Sequence, residues 1–328
     1  MTALELVCPA GTSAALKAAV NSGADAVYLG FRDATNARNF PGLNFSRGEL
    51  EQGIAYAHDQ DCKIFLAINT FPTAGNAGPW HQAMDDGAEL GVDAVILADI
   101  GMLDYATRKH PDLRRHLSVQ ASASNPEAIR FYQDAFDVKR VVLPRVLSVA
   151  EIAALNKDIS VETEVFVFGG LCVMAEGRCA LSSYVTGQSP NTNGVCSPAC
   201  AVNYEEDADG RMVSKLGDFT INAFEPGEAA GYPTLCKGRF IARDKASYLF
   251  EDPVSLNATS ILPDLAAAGV TGLKIEGRQR GKAYIAKVVS SFRQAVDSMA
   301  DGAVIETDLT QVTEGQRKTA GAYQKTWR

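Results

Sequence analysis

Two stretches of similar sequence decide the fold of this chain: Asn21-Ser22-Gly23-Ala24-Asp25-Ala26-Val27 and Leu90-Gly91-Val92-Asp93-Ala94-Val95. Each has a glycine that can end a helix, then an aspartate, then an Ala-Val pair that can begin a strand. The recurrence of this helix exit ahead of a short apolar run indicates that helices alternate with parallel strands.

The same alternation extends along most of the chain. Short apolar runs rich in β-branched residues alternate with amphipathic stretches, and eight such pairs predict an α/β fold, a closed (β/α)8 barrel of the TIM type. The predicted strands are Leu4–Cys8, Ala26–Gly30, Lys63–Ile68, Ala94–Ala98, Leu117–Ala121, Arg140–Leu143, Val161–Phe168 and Gly272–Ile275. The predicted helices are Thr12–Asn21, Arg47–Gln60, Pro79–Leu90, Met102–Lys109, Glu127–Ala135, Val149–Asn156, Ile261–Ala268 and Lys282–Met299.

One predicted connection is far longer than the others. About 90 residues separate Phe168 from the helix near Ile261, and so long a loop is rare in a compact domain unless it is functional. We therefore predict a single barrel domain over residues 1–328 with a long cysteine-rich insertion over residues 169–260. Because the insertion follows the seventh strand, it should emerge on the C-terminal face, where barrel active sites form.

Composition and charge exclude several classes of protein. The chain has 328 residues, 46% of them hydrophobic and 21% charged, as in a globular protein that needs no disulfides. Its formal net charge of −8 disfavours general nucleic-acid binding. No apolar run approaches the roughly 18 residues that span a bilayer, and the first residues lack a basic signal segment, so we expect a cytoplasmic protein.

Five of the seven cysteines fall in the predicted insertion. In a reducing cytoplasm such a group favours metal or redox chemistry over disulfides. Wide spacing, with one short pair of the kind usual in structural zinc sites, favours an iron–sulfur cluster over zinc, and unligated core thiols are a third possibility. The five are Cys172, Cys179, Cys196, Cys200 and Cys236, one more than a four-ligand site needs.

Charged residues at the ends of predicted strands indicate a pocket at the mouth of the barrel. Lys274, Glu276 and Arg278 leave the eighth strand in alternation and should face that pocket, although a surface salt-bridge network is the alternative. Arg145 and Arg178 could bind a carboxylate, and Arg178 could instead offset the charge of a four-thiolate cluster. These five are the candidate catalytic residues. Other residues that could line the pocket are Arg38, Asn69, Asp99 and Gln120, although each of the last three could instead be only a turn or cap residue.

Motifs of the common hydrolases and nucleotide-binding enzymes do not occur in the sequence. It contains no H-E-x-x-H helix, no G-x-S-x-G elbow and no G-x-x-x-x-G-K-[ST] loop. The four histidines lie on or beside predicted helices, so we expect them on the surface rather than acting as catalytic bases. They are His58, His81, His110 and His116.

The string Phe166-x-Phe168-Gly169-Gly170-Leu171-Cys172-x6-Cys179 resembles the signature of the collagenase-like peptidase family. Matches near the start of the chain extend the resemblance over nearly its whole length. They are Cys8-Pro9-Ala10-Gly11, Ala24-Asp25-Ala26-Val27-Tyr28 and Arg38-x-Phe40. Further strings are similar to the branch of the family that acts in oxygen-independent ubiquinone biosynthesis. They are Ser118-Val119-Gln120-Ala121-Ser122-Ala123, Gly187-x-Ser189-Pro190-Asn191-Thr192 and Gly231-Tyr232-Pro233-Thr234-Leu235-Cys236.

This resemblance implies a [4Fe–4S] cluster held by Cys172, Cys179, Cys196 and Cys236. Cys200 falls outside the pattern of that branch, although other branches carry a cysteine at such a position. The resemblance also implies an O2-independent hydroxylase component that is active as a heterodimer with a homologous UbiV-like subunit. A UbiT-like lipid-binding accessory protein, a ubiquinone precursor and prephenate as the hydroxyl source complete the implied system.

The family resemblance leaves three alternatives open. Some members hydroxylate RNA, but the net charge of −8 and a chain end soon after the last predicted helix argue against this activity here. Peptidase activity is suggested by the family's name, but the sequence shows no nucleophile–base constellation to support it. The third alternative is a scaffold whose cluster only stabilises a complex.

Overall fold

The computed structural model describes residues 4–172, 179–188, 196–228, 230–300, 307–313 and 317–324. The strands in these ranges are β1 Glu5–Pro9, β2 Ala26–Leu29, β3 Lys63–Ile68, β4 Ala94–Leu97, β5 Arg115–Leu117, β6 Arg140–Val142, β7 Glu162–Gly170, β8 Val202–Glu206, β9 Met212–Leu216, β10 Phe219–Phe224, β11 Arg239–Ala242, β12 Lys245–Tyr248, β13 Ser255–Asn257, β14 Gly272–Ile275 and β15 Lys318–Thr319. The helices are α1 Ser13–Asn21, α2 Arg47–His58, α3 Gly78–Leu90, α4 Ile100–Lys109, α5 Pro126–Phe136, α6 Val149–Asp158, α7 Ala180–Thr186, α8 Leu262–Ala267 and α9 Lys282–Ala300.

Eight parallel strands close into a barrel. Strands β1 to β7 pair in chain order, and β14 pairs in parallel with both β7 and β1, which completes the ring. A helix follows each strand of the ring, so the predicted (β/α)8 barrel is confirmed. None of the helices in the described ranges combines the length and apolar character that a bilayer-spanning helix needs.

The walls of the barrel carry apolar side chains on both faces because strand residues alternate in direction. Val7, Tyr28 and Phe65 belong to a small buried cluster formed by one set of alternating residues, which we place inside the barrel. Val27 and Ile64, their neighbours in sequence, belong to the larger cluster that packs against the helices. The core therefore lies mainly between strands and helices, and the barrel interior has room for polar groups.

The two sequence stretches that predicted helix exits do end helices. Gly91 caps α3 in the left-handed conformation, with a φ of 79°. Gly23, with a φ of 93°, follows Ser22 at the end of α1. Glycine adopts these dihedral angles without the clash that a Cβ atom would cause, so each helix stops before its aspartate and the next strand can begin.

The predicted fifth strand was misplaced. It was expected over Leu117–Ala121, whereas β5 ends at Leu117 and Val119–Ala121 form a 3₁₀ turn. The hydroxyl of Ser118 accepts a hydrogen bond from the backbone N–H of Gln120 at 3.3 Å, which favours a turn over continued pairing. The turn places Gln120 beside the barrel mouth.

The long connection between β7 and β14 contains regular structure of its own. Strands β8, β9 and β10 form an antiparallel sheet, and β11 and β12 form a hairpin. Strand β13 pairs antiparallel with the last residues of β7. The described part of this connection is therefore folded, and its assignment as an iron–sulfur insertion over residues 169–260 stays a prediction.

Candidate functional site

A pocket opens where the C-terminal ends of the barrel strands meet. The basic side chains that line it are those of Arg38, Arg145, Lys274 and Arg278. Glu276 is the single carboxylate among its described lining residues. The pocket thus carries an excess of positive charge in a chain whose net charge is −8. Such a pocket favours an anionic ligand.

Arg278 is held rigidly at the pocket wall. Its Nη1 donates a hydrogen bond to Oδ1 of Asn36 at 2.9 Å, and Asn36 in turn donates from Nδ2 to the carbonyl of Phe31 at 2.5 Å. Burial lowers the pKa of Arg278 to about 10, which still leaves it charged at neutral pH. A Cβ atom on Gly11 would lie 1.9 Å from the Arg278 carbonyl oxygen, so this close approach requires glycine.

Glu276 is fixed by the end of the seventh strand. The backbone N–H of Gly170 donates a hydrogen bond to its Oε2 at 2.9 Å. Gly169, with a φ of 118°, lies so close that a Cβ there would approach Cβ of Glu276 to 2.7 Å. Burial alone would raise the pKa of Glu276, but the positive charges of Arg38 and Arg145 outweigh it, and the pKa is lowered. Glu276 is therefore ionised at neutral pH.

The remaining predicted pocket residues divide into lining residues and a helix cap. Arg145 stacks on the ring of Phe166, with its Cζ 3.6 Å from the ring centroid. Asn69 lines the pocket and accepts a hydrogen bond from the backbone N–H of Ala37 at 3.0 Å, which fixes the loop that carries Arg38. Gln120 is also a lining residue.

Two of the residues that were expected at the pocket, Asp99 and Arg178, are not found among its described lining residues. Asp99 caps α4 by accepting a hydrogen bond from the N–H of Met102 at 3.0 Å, and it is not among the described lining residues, so of its two expected roles the cap is the one that the structure shows. A residue between a strand and the next helix can either line the pocket or cap the helix, and its position in the sequence does not distinguish the two roles. Arg178 lies outside the described residues.

Sequence reasoning missed the residues beneath the pocket floor. Lys274 Nζ lies 2.6 Å from Oε1 of Glu164, and Arg140 lies 3.2 Å from the other oxygen of that carboxylate. The ring of Tyr28 lies beside this group, with its centroid 3.8 Å from Lys274 Nζ. The alternation of Glu162 and Glu164 in an otherwise apolar strand was the available signal, since it places both carboxylates on one face.

The prediction for the histidines is wrong for His116, which is fully buried beside Phe65. Burial, the first cause, and the charge of Arg140 lower the pKa of His116 well below its ordinary value, so the ring is neutral at physiological pH. It was misjudged because the fifth strand was predicted to begin after it. None of the four histidines lines the pocket.

The four predicted cluster ligands belong to one neighbourhood. Burial, the largest cause, together with the nearby thiols of Cys196, Cys172 and Cys179 raises the pKa of Cys236 to about 12. Ser182 joins two of these segments, because its N–H donates to the sulfur of Cys179 at 3.4 Å and its hydroxyl donates to the carbonyl of Cys196 at 2.5 Å.

Four cysteine thiols are a chemically suitable set of ligands for an iron–sulfur cluster. In the described ranges, no three Cys, His, Asp or Glu side chains are arranged as ligands of a single metal ion. The cations nearby match the donor set, because Lys237 lowers the pKa of Cys236, and Arg38 and Lys237 lower that of Cys196 against the larger effect of burial. Cys200 is exposed, and its role stays open.

Comparison with known proteins gives a consistent family assignment. The profile described as Peptidase family U32 matches residues 11–326. The chain is 32% identical to tRNA hydroxylation protein P of Escherichia coli (strain K12), over 95% of this chain and 72% of that protein. It is 33% identical to the uncharacterized protease MJ0090 of Methanocaldococcus jannaschii, over 92% of this chain and 67% of that protein. The 23S rRNA 5-hydroxycytidine C2501 synthase of E. coli is 30% identical over 95% of this chain but only 42% of that protein.

Proposed function

Because the chain belongs to peptidase family U32, which includes hydroxylation proteins, we propose that it is the iron–sulfur subunit of an oxygen-independent hydroxylase. Its proposed substrate is the aromatic ring of a ubiquinone precursor, as for UbiU, the family member whose sequence motifs it resembles. The proposed assembly is a heterodimer with a homologous UbiV-like subunit. In this proposal, a UbiT-like lipid-binding protein presents the precursor.

The observation that carries this proposal is the common neighbourhood of the cationic pocket and the cysteines. Arg38 and Lys237 both lower the pKa of Glu276, which lines the pocket, and of Cys196 in the cysteine group. An anion in the pocket would therefore be bound close to whatever the thiols hold. This proximity supports a reaction in which a bound oxygen donor and a redox centre act together.

The residues present suit a dicarboxylate as the oxygen donor. Arg38, Arg145 and Arg278 supply guanidinium groups that can bind carboxylates through two parallel hydrogen bonds. Prephenate has two carboxylates and a ring hydroxyl, so it supplies both the charge for this pocket and the oxygen atom that O2 would otherwise provide. Glu276 lies among these arginines and could hold or release a proton beside the bound donor.

Cys172, Cys179, Cys196 and Cys236 are the residues that would hold a [4Fe–4S] cluster. Such a cluster, when bound, supplies one-electron transfer. Arg38 and Lys237 would offset its negative charge, and the residues of the barrel mouth would orient the donor toward it.

Metal analysis of anaerobically purified protein tests the cofactor. We expect about four iron and four acid-labile sulfide per chain with visible absorption, lost in the Ala variants of the four proposed ligands. Cys200→Ala is the matched control and should retain the iron. Zinc in place of iron, without visible absorption, would contradict the redox mechanism.

Ligand binding tests the donor assignment separately. Prephenate binding, measured by titration calorimetry without oxygen, should weaken as Arg145, Arg178, Lys274 and Arg278 are replaced by glutamine or methionine. Undiminished binding after removal of all four charges would reject the pocket as the donor site. Malate is a useful control ligand, because it carries two carboxylates but lacks the prephenate ring.

RNA hydroxylation is the second candidate, because several of the relatives are RNA hydroxylation proteins by name. The two candidate functions predict different outcomes when the gene for this chain is deleted and the strain is grown without oxygen. The proposed function predicts loss of ubiquinone with unchanged tRNA and rRNA hydroxylation, measured by mass spectrometry. The reverse result would favour RNA. The peptidase alternative lacks support in the pocket, since none of the four histidines lines it.

A further inference from the structure

A lysine lies at the floor of the barrel pocket in an environment unlike that of a surface ion pair. Lys274 is the third residue of β14, and its side chain lines the pocket although the residue is only 5% exposed. Its Nζ lies 3.8 Å from the centroid of the Tyr28 ring and 2.6 Å from Glu164. A ligand in the pocket therefore meets an amine that is largely shielded from water.

A carboxylate in direct contact with this amine can accept its proton. Glu164 is 1% exposed and hydrogen-bonds Lys274 through one oxygen and Arg140 through the other. Transfer of a proton from the ammonium to Glu164 would leave a neutral amine beside a neutral acid. Such a pair suits a group that must act as a nucleophile and then regain a proton.

Two arginines flank this lysine and disfavour its charged form. Arg278 lies over the ring of Tyr28, as Lys274 does, with its Cζ 5.5 Å from the ring centroid. Arg140 lies on the far side of Glu164. Burial, which is the main cause, and these two guanidinium groups lower the pKa of Lys274, although Glu164 acts in the opposite direction.

We propose that Lys274 forms an imine with a 2-oxo acid bound in the barrel pocket. The amine attacks the carbonyl carbon to form a C–N bond, and the carbonyl oxygen takes up one proton from the attacking nitrogen and one from Glu164. The oxygen leaves as water when the C=N bond forms, and the product is a protonated imine beside the Glu164 carboxylate. Glu164 takes the first proton from the ammonium and returns it for the departure of water. No oxidant or reductant is needed, because the step is a condensation.

The pocket favours a 2-oxo acid over a carbonyl compound that lacks a carboxylate. The carboxylate next to the reacting carbonyl can pair with Arg278, which lies beside the same tyrosine ring as Lys274. The inference rests on the proposed function in one respect: prephenate carries a 2-oxo acid side chain, so an imine would anchor this donor covalently. The imine itself requires neither the cluster nor a partner subunit.

Reductive trapping tests the imine. The anaerobically purified chain is incubated with pyruvate and cyanoborohydride, and its intact mass is measured. We expect one adduct with a mass gain of about 72 Da, as for reduction of a pyruvate imine, mapped by peptide sequencing to Lys274. Lactate, which lacks the carbonyl, should give no adduct.

Variants separate a reactive amine from a structural charge. Lys274→Arg keeps the positive charge but should give no adduct, and Glu164→Gln should form it at least tenfold more slowly. Lys109→Arg, an exchange at an exposed lysine, should leave trapping unchanged. Mapping of the wild-type adduct keeps the test valid if a variant fails to fold.

The outcomes are distinct from those of the proposed function. Adducts spread over surface lysines, or no adduct at a pyruvate concentration that saturates binding, would overturn the imine. A chain that traps pyruvate at Lys274 but holds no iron would retain the imine and reject the hydroxylase proposal. A chain with a full iron content and no adduct would give the opposite result.

Discussion

The two ends of the barrel carry charged residues of the same types, but positive and negative charges are paired at one end and positive charges are in excess at the other. At the N-terminal end, Lys63 pairs with Glu5 at 2.6 Å, and Arg114 pairs with Glu162 at 2.6 Å. Arg140 contacts Glu162 at 2.6 Å and also reaches the interior Glu164. At the C-terminal mouth, the described pocket lining has three arginines and one carboxylate, Glu276, and Lys274 at its floor pairs with Glu164. The closed network at the N-terminal end stabilises the fold, whereas the excess of basic side chains at the mouth favours an anionic ligand.

The largest expected effect is at the buried carboxylate between the two ends. Glu164→Ala leaves Lys274 and Arg140 buried without this partner, and we expect it to lower the free energy of unfolding by about 3–5 kcal/mol. Urea unfolding followed by circular dichroism measures the change. Glu276→Ala, at the half-buried mouth, is the matched control and should cost less. Equal losses would remove the distinction between the two ends.

Replacement of an arginine at the mouth should have a smaller effect, on binding rather than stability. Arg145→Gln removes one charge-assisted contact, so prephenate should bind about 10- to 100-fold more weakly. Titration calorimetry measures the affinity, and thermal unfolding should show little change. A variant that unfolds readily and binds normally would place Arg145 with the structural charges instead.

Acid should weaken the N-terminal network. Burial alone would raise the pKa of Glu5, but Arg140 and Lys63 outweigh it and lower the pKa below its ordinary value of 4.5. A carboxylate with a lowered folded-state pKa stabilises the fold above its unfolded-state pKa and loses this effect as pH falls through the lowered value. Glu5→Gln should therefore cost about 1–2 kcal/mol at pH 7 and progressively less below about pH 4.5. A difference that persists at pH 2 would contradict this.

The smallest effect is expected at Asp99, which follows the C-terminal end of β4 but belongs neither to the N-terminal network nor to the charged residues of the pocket. Asp99→Ala removes the N-cap of α4 and should lower the free energy of unfolding by about 1 kcal/mol. Prephenate affinity should be unchanged, because Asp99 does not line the described pocket. Asp99→Asn retains a capping oxygen and should restore most of the stability. Loss of binding in Asp99→Ala would return Asp99 to the pocket.

Much of the fold was predictable because it depends on local patterns. The eighth strand, Gly272–Ile275, matches its prediction, and the glycine exits at Gly23 and Gly91 have the expected positive φ. Errors occurred where a side chain altered the backbone locally. The hydroxyl of Ser118 favours a turn just after β5, and the misplaced strand hid the burial of His116.

The site was predictable in its residue types but not in its pairings. Strand-end positions indicated Arg145, Lys274, Glu276 and Arg278, and the pocket contains all four. The partner of Lys274 is Glu164, which is 110 residues away in the chain. No sequence spacing relates two such residues, since they meet only because β14 pairs with β7 to close the barrel.

The sequence by itself determined the alternation of strands and helices, the identity of the charged residues at the strand ends and the grouping of the cysteines. These properties depend on neighbours a few residues apart, where periodicity and glycine conformation act directly. The tertiary structure alone decided which charges neutralise each other and which remain in excess at the mouth. The physical reason is the closure of the barrel, which fixes which residues from strands distant in the sequence share the barrel interior.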